Sequence, residues 1–212
     1  MASKCLRELI AEADERGLAA SGLACLERCL PQPESDADVL RPLWAGLAGG
    51  AARWPASLAG ALAAGEARAE DPEAGDESAV LVRELLRAAP ADWEAGALRE
   101  WAEACSVAAL ELHHGLDAGS ASGSASSAGG DQGTGGEPPA AAEVIEILKG
   151  YRQGAPSTAG PLVTGELRRQ IRVLEILAEG EGGAGLRQVL RVSTEGRRVL
   201  RAVVSRRARV RR

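Results

Sequence analysis

Apolar residues in this chain recur at intervals of three and four, in short blocks broken by Gly, Pro and acidic residues. Such spacing predicts amphipathic helices joined by turns, because 3.6 residues per turn bring every third or fourth side chain back to one face. The clearest case runs from residue 78 to 112. Val82, Leu85, Leu86 and Ala89 share a face, Ser78 is placed to cap the helix, and Pro90 stops it by removing an amide donor. Asp92 is expected to restart the helix, after which Ala97, Leu98, Trp101, Ala104, Cys105, Ala108 and Leu112 form a second stripe. Arg99, Glu100, Glu103 and Glu111 lie largely off that stripe. Neither helix can bury its stripe alone, so the pair must pack on each other and on neighbours.

Two further hairpins are predicted upstream. Ser3 caps a helix with Leu6, Leu9, Ile10 and Ala13 inward and Gly17 as its C-terminal cap. A helix with Leu23, Leu26 and Leu30 on its inner face follows and stops at Pro31-Gln32-Pro33. Asp36 or Asp38 opens the next, with Val39, Leu40, Leu43 and Leu47 inward and an end at Gly49-Gly50. Trp54-Pro55 begins a fourth, carrying Leu58, Ala61 and Leu62, and an acidic loop at 70–77 leads into the hairpin at 78–112.

Downstream the pattern lapses. Residues 117–139 are rich in Gly, Ser and Ala without apolar periodicity and read as a disordered linker or loop insertion. Order is expected to resume with Val144, Ile145, Ile147, Leu148 and Tyr151. Thr164 then caps a helix with Leu167, Ile171, Leu174 and Leu177, and a Gly-rich break at 180–185 precedes a short helix with Leu186, Val189 and Leu190. Ser193-Thr194 reads as a break and a new cap, and a last helix turns Leu200, Val203 and Val204 inward before the chain frays. The expected division is 1–116, helical hairpins; 117–139, linker; 140–205, a second helical segment; and 206–212, a basic tail.

Composition agrees with an all-α class and adds a restriction on the core. With 212 residues, no Phe, one Tyr and four Trp, packing must come from aliphatic side chains and close helix approach. β-branched and aromatic residues are too sparse for a sheet. There are 23 Arg against two Lys, Lys4 and Lys149, a bias that GC-rich coding produces without any functional demand. The net charge of −5 is uneven: residues 186–212 hold ten Arg and only Glu195, a local +9 that leaves −14 over 1–185. Four cysteines, a first helix that carries acids and no apolar run of about 18 residues point to a reducing compartment, cytoplasm or nucleus, without a signal peptide or membrane span.

The run Leu-Arg-Arg-Gln-Ile-Arg-Val-Leu-Glu-Ile-Leu-Ala-Glu-Gly, then Gly-Leu-Arg-Gln-Val-Leu, then Thr-Glu-Gly-Arg-Arg-Val-Leu-Arg-Ala-Val-Val resembles armadillo or HEAT-type helical repeats. The resemblance covers about residues 164–205, and the three upstream hairpins are compatible with it in length and pattern. It implies hairpins stacked as a short α-solenoid with a protein-binding surface; an irregular helical bundle is the other arrangement the pattern allows.

Candidate chemistry is thin. Gly180-Glu181-Gly182-Gly183-Ala184-Gly185 satisfies GxGxxG, yet a helix rather than a strand is expected before it, and beyond Glu195 no acid follows to hold a ribose. Cys25 and Cys29 share a helix face and His113 and His114 are adjacent, but structural zinc needs four converging ligands. No nucleophile stands beside either His, so no catalytic, cofactor-binding or metal residues are assigned. Of the tryptophans, Trp101 belongs to the core, and Trp44, Trp54 and Trp93 lie near helix ends. Arg197, Arg198, Arg201, Arg206 and Arg207 are the candidate contacts for an acidic partner or nucleic acid. With no aromatic residues between them to stack bases, any such contact would be electrostatic and unselective. The expectation is a non-enzymatic helical scaffold or adaptor for a protein partner, with a nuclear nucleic-acid-associated factor as the alternative.

Overall fold

The computed structural model describes residues 4–30, 35–69, 77–124, 141–155, 159–180 and 183–210, all of them helix, turn or short connection. The helices are α1 (Leu6–Glu12), α2 (Glu15–Cys29), α3 (Ser35–Gly46), α4 (Trp54–Ala69), α5 (Glu77–Arg87), α6 (Ala95–Ser124), α7 (Ala141–Arg152), α8 (Pro161–Glu179) and α9 (Gly183–Val210). A 3-10 turn, Leu47–Ala52, joins α3 to α4, and Gly50 supplies its left-handed residue at φ 50°. The fold is all-α.

α2 is the axis. Every residue from 17 to 29 is buried, and α3, α5, α6, α8 and α9 all pack against it. The sequence reading gave this helix one inner face, whereas the structure encloses it on all sides. Ala19, Ala20, Ser21, Gly22, Ala24 and Cys25 are small enough for neighbours to approach from every direction, and no charge interrupts residues 17–26. A helix without a polar face has nowhere to lie but inside. Gly22 shows how close the approach is: a Cβ there would stand 2.7 Å from the Trp101 ring on α6.

The main core runs from Leu6 and Ile10 through α2, α3 and α4 to Leu98, Trp101 and Cys105, and it includes Leu174 of α8. The N- and C-terminal helices therefore share one interior. A smaller cluster joins Ala24 to Val173, Ile176 and Val189, and another joins Leu110 to Leu148 and Val163, seating α7 and α8 on α6.

Several helix ends differ from the sequence expectation, and each has a local cause. Gly17 lies inside α2 instead of closing α1, because Asp14 accepts from the Gly17 amide at 2.7 Å and starts the helix. Ser78 lies within α5, which begins at Glu77, and Asp92 sits in the bend before α6, which begins at Ala95. Thr164 lies in the first turn of α8; Gly160 and Pro161 open that helix, and Asp117, reaching across from α6, accepts from the Leu162 and Val163 amides at 3.1 Å. Asp117 was expected to open the linker. It lies instead in α6, which continues through Ser124 with no Pro to interrupt it, and 125–140 lie outside the described residues. Ser193 and Thr194 do not break α9: Thr194 Oγ1 donates back to the Leu190 carbonyl at 2.8 Å and Ser193 is buried in the bundle. The tail expected to fray from 206 is helical through Val210.

Candidate functional site

The polar chemistry of the interior converges where α2, α6, α8 and α9 meet. Arg28, near the end of α2, has no exposed surface, and neither does Glu166 in the second turn of α8. The Arg28 Nε donates to both Glu166 oxygens at 3.0 and 2.9 Å, and Nη2 donates to Oε1 at 2.7 Å. Gln170, one turn on, donates from Nε2 to Glu166 Oε1 at 3.0 Å and to the Ser106 carbonyl at 3.2 Å, and its own Oε1 accepts from Ser106 Oγ at 2.6 Å. α9 passes over the pair at Gly196, where a Cβ would come within 2.5 Å of Arg28 Cδ.

Electrostatics holds this junction in its charged form. Burial alone would raise the Glu166 carboxyl, but the Arg28 guanidinium, joined by His113 and the Gln170 hydrogen bond, holds the group below its ordinary range. Burial likewise opposes the Arg28 charge, and Glu166 together with the neighbouring Cys25 and Cys29 more than offsets it. His113 of α6 is also buried, with Nε2 4.0 Å from Glu166 Oε2 and Nδ1 donating to the Ala109 carbonyl at 2.7 Å. Adjacent in sequence, the two histidines differ in setting: His113 lies mid-helix in the interior, whereas His114 is only partly buried.

The cysteines surround the same junction and are set against reactivity. Burial pushes the Cys25 thiol up to about 12 despite Arg28 beside it, and burial also lifts Cys29 and Cys105 well above the ordinary range. All three remain free thiols, protonated at neutral pH and weak as nucleophiles. The adjoining void, lined in part by Ser21, Cys25, Arg28 and Gln170, is about 10 Å³. Small-molecule sites run to roughly 300–1,000 Å³, so this junction fastens helices together and has no room for a substrate. Among the described residues, no group of three or more His, Cys, Asp and Glu is placed to hold a metal. Of the Gly-rich segment, Gly180 follows the end of α8 and Gly183, Ala184 and Gly185 lie in the first turn of α9, so a helix and not a strand precedes it.

The five arginines singled out in α9 have different surroundings. Arg197 is half-buried and pairs with Glu27 of α2 at 2.8 Å, and burial raises the Glu27 carboxyl while Arg197 opposes the shift. Arg207 donates to the Leu116 carbonyl of α6. Arg198, Arg201 and Arg206 are exposed, and with Arg209 they border a shallow, open depression of about 400 Å³ along one face of α9.

Three tryptophans close the corner between α5 and α6. Trp54 is fully buried, with its ring edge-to-face on Trp93 and Trp101 at centroid distances of 5.3 and 5.9 Å. The Trp54 indole N–H donates to the Pro90 carbonyl at 2.7 Å and that of Trp101 to the Leu85 carbonyl at 2.8 Å, so each ring satisfies a carbonyl of the corner.

Beyond this corner, α5 and α6 bound an open groove of about 540 Å³. Sequence reasoning missed it, although its signal is readable: Glu77, Val80, Leu81 and Glu84 fall at helical spacing on the side of α5 opposite Val82 and Leu86. No helix among the described residues is long and apolar enough to cross a membrane. Set against models of known protein families, curated proteins and solved structures, the chain matches none.

Proposed function

We propose that the protein is a non-enzymatic α-helical scaffold or adaptor that holds a protein partner in the cytoplasm or nucleus. The observation that supports this most directly is the α5–α6 groove, an apolar-floored channel on the surface that leaves Val80 41% exposed. We infer further that the helices form an irregular bundle rather than a regular armadillo- or HEAT-like solenoid. In a solenoid each repeat meets its sequence neighbours, whereas α2 is packed by α6, α8 and α9. The reading is tested by affinity purification of the full chain, followed by reconstitution of a complex of defined stoichiometry from purified components. If no recovered protein reconstitutes, the scaffold reading fails.

One observation favours a second reading, contact with nucleic acid: the exposed row of Arg198, Arg201, Arg206 and Arg209. Deleting residues 197–212 is a poor test, since it also removes the Glu27 pair and the buried Leu200. Replacing the four exposed arginines by Gln leaves that packing in place. If this reading holds, generic DNA or RNA binds at low salt, the affinity falls steeply as salt rises, and the substitutions abolish it.

A further inference from the structure

The chemistry of the α5–α6 groove narrows what can occupy it. Val80, Leu81, Ala108, Leu112 and Leu116 provide an apolar floor. Three carboxylates stand over it: Glu77 and Glu84, two turns apart on α5, and Glu111 on α6. A single guanidinium, Arg207, lies at the Leu116 end and donates to the Leu116 carbonyl. The two glutamates are seven positions apart on α5, about 10 Å along the helix, which matches two turns of a docked helix.

An apolar strip under three acids and one cation complements a helix with apolar residues at i, i+3, i+4 and i+7 and Lys or Arg beside them. We propose that this groove is the docking site for a basic amphipathic helix of a partner protein. The inference rests on the scaffold reading and adds the chemistry of the partner. An acidic helix would place like charges against the rim, and an uncharged one would desolvate three carboxylates without replacing their lost water. Glu111 adds to the case: apolar surroundings raise its carboxyl above the ordinary range, and a cation brought against it relieves that cost.

Fluorescence anisotropy with the full chain and a labelled model helix of about 18 residues, Leu on one face and Lys on the other, tests the proposal. The expected result is saturable binding that weakens at least tenfold in Glu77→Lys/Glu84→Lys and in Val80→Asp, with circular dichroism and melting temperature near those of the wild type. Glu175→Lys, an exposed reversal on α8, is expected to leave binding unchanged. The same helix with Glu in place of Lys is expected not to bind. Equal binding of the Glu helix, no binding of the Lys helix, or undiminished binding by both groove variants overturns the proposal. So does a wild-type dimer in sedimentation that Val80→Asp dissociates, which assigns the groove to a second copy of the chain. A reconstituted partner complex that withstands the groove substitutions removes this site and leaves the scaffold reading intact; failure to reconstitute any partner removes the scaffold reading itself.

Discussion

Arg28 and the exposed arginines of α9 carry the same side chain in opposite circumstances. Arg28 is enclosed, shares three hydrogen bonds with Glu166 and anchors α2 to α8, 138 residues further along the chain. Arg198, Arg201 and Arg206 stand in water, where a guanidinium is already well solvated and adds little to folding. The difference teaches that arginine content says little here and that enclosure decides what each one does. An enclosed charge is tolerable only with its partner, so Arg28 and Glu166 each make the other necessary.

The sharpest way to break the comparison is to remove one member of the enclosed pair. Arg28→Met or Glu166→Gln is expected to cost about 3–5 kcal/mol of stability in urea unfolding, because the remaining group is left buried and unpaired. The double replacement Arg28→Met/Glu166→Leu is expected to recover much of that loss. A mild effect of the single change would place Arg28 with the surface arginines. Acid probes the same pair: the folded Glu166 value lies below its unfolded one, so the contribution is present above the ordinary carboxylate range and lost as pH falls through the folded value.

Alkali gives the next effect. The three buried thiols titrate higher in the folded state than in the unfolded one, so their contribution is complete below about pH 8.5 and declines above it. For Cys25 the decline extends to about 12. Unfolding measured under reductant is expected to lose up to roughly 1.4 kcal/mol per pH unit from Cys25 in that window, and Cys25→Ala is expected to flatten the slope. Gly22→Ala comes third, at about 1–3 kcal/mol, since its methyl meets the Trp101 ring and α2 or α6 must shift. Smallest is Arg198→Gln/Arg201→Gln, expected to change stability by less than about 0.5 kcal/mol in the same assay. A larger loss there would erase the distinction between enclosed and solvated arginines.

The sequence by itself determined the helical class and much of the punctuation. Pro90 and the Gly49-Gly50 pair sit where chain direction changes, and Leu86, Leu98 and Trp101 face inward as their spacing predicts, because helical period and turn chemistry are local properties. The candidate surface was half legible: the outward stripe of α5 can be read from its spacing, but not that α6 supplies the opposite wall. Only the tertiary structure decided that α2 is enclosed on every side, that Asp117 starts α8, that α9 runs through Ser193 and Thr194, and that His113 lies against Glu166. These outcomes depend on which faces meet across more than a hundred residues of chain. Periodicity gives each helix a buried side, but packing selects the neighbour, and at Arg28 the neighbour turns a residue that reads as surface charge into the fastening of the core.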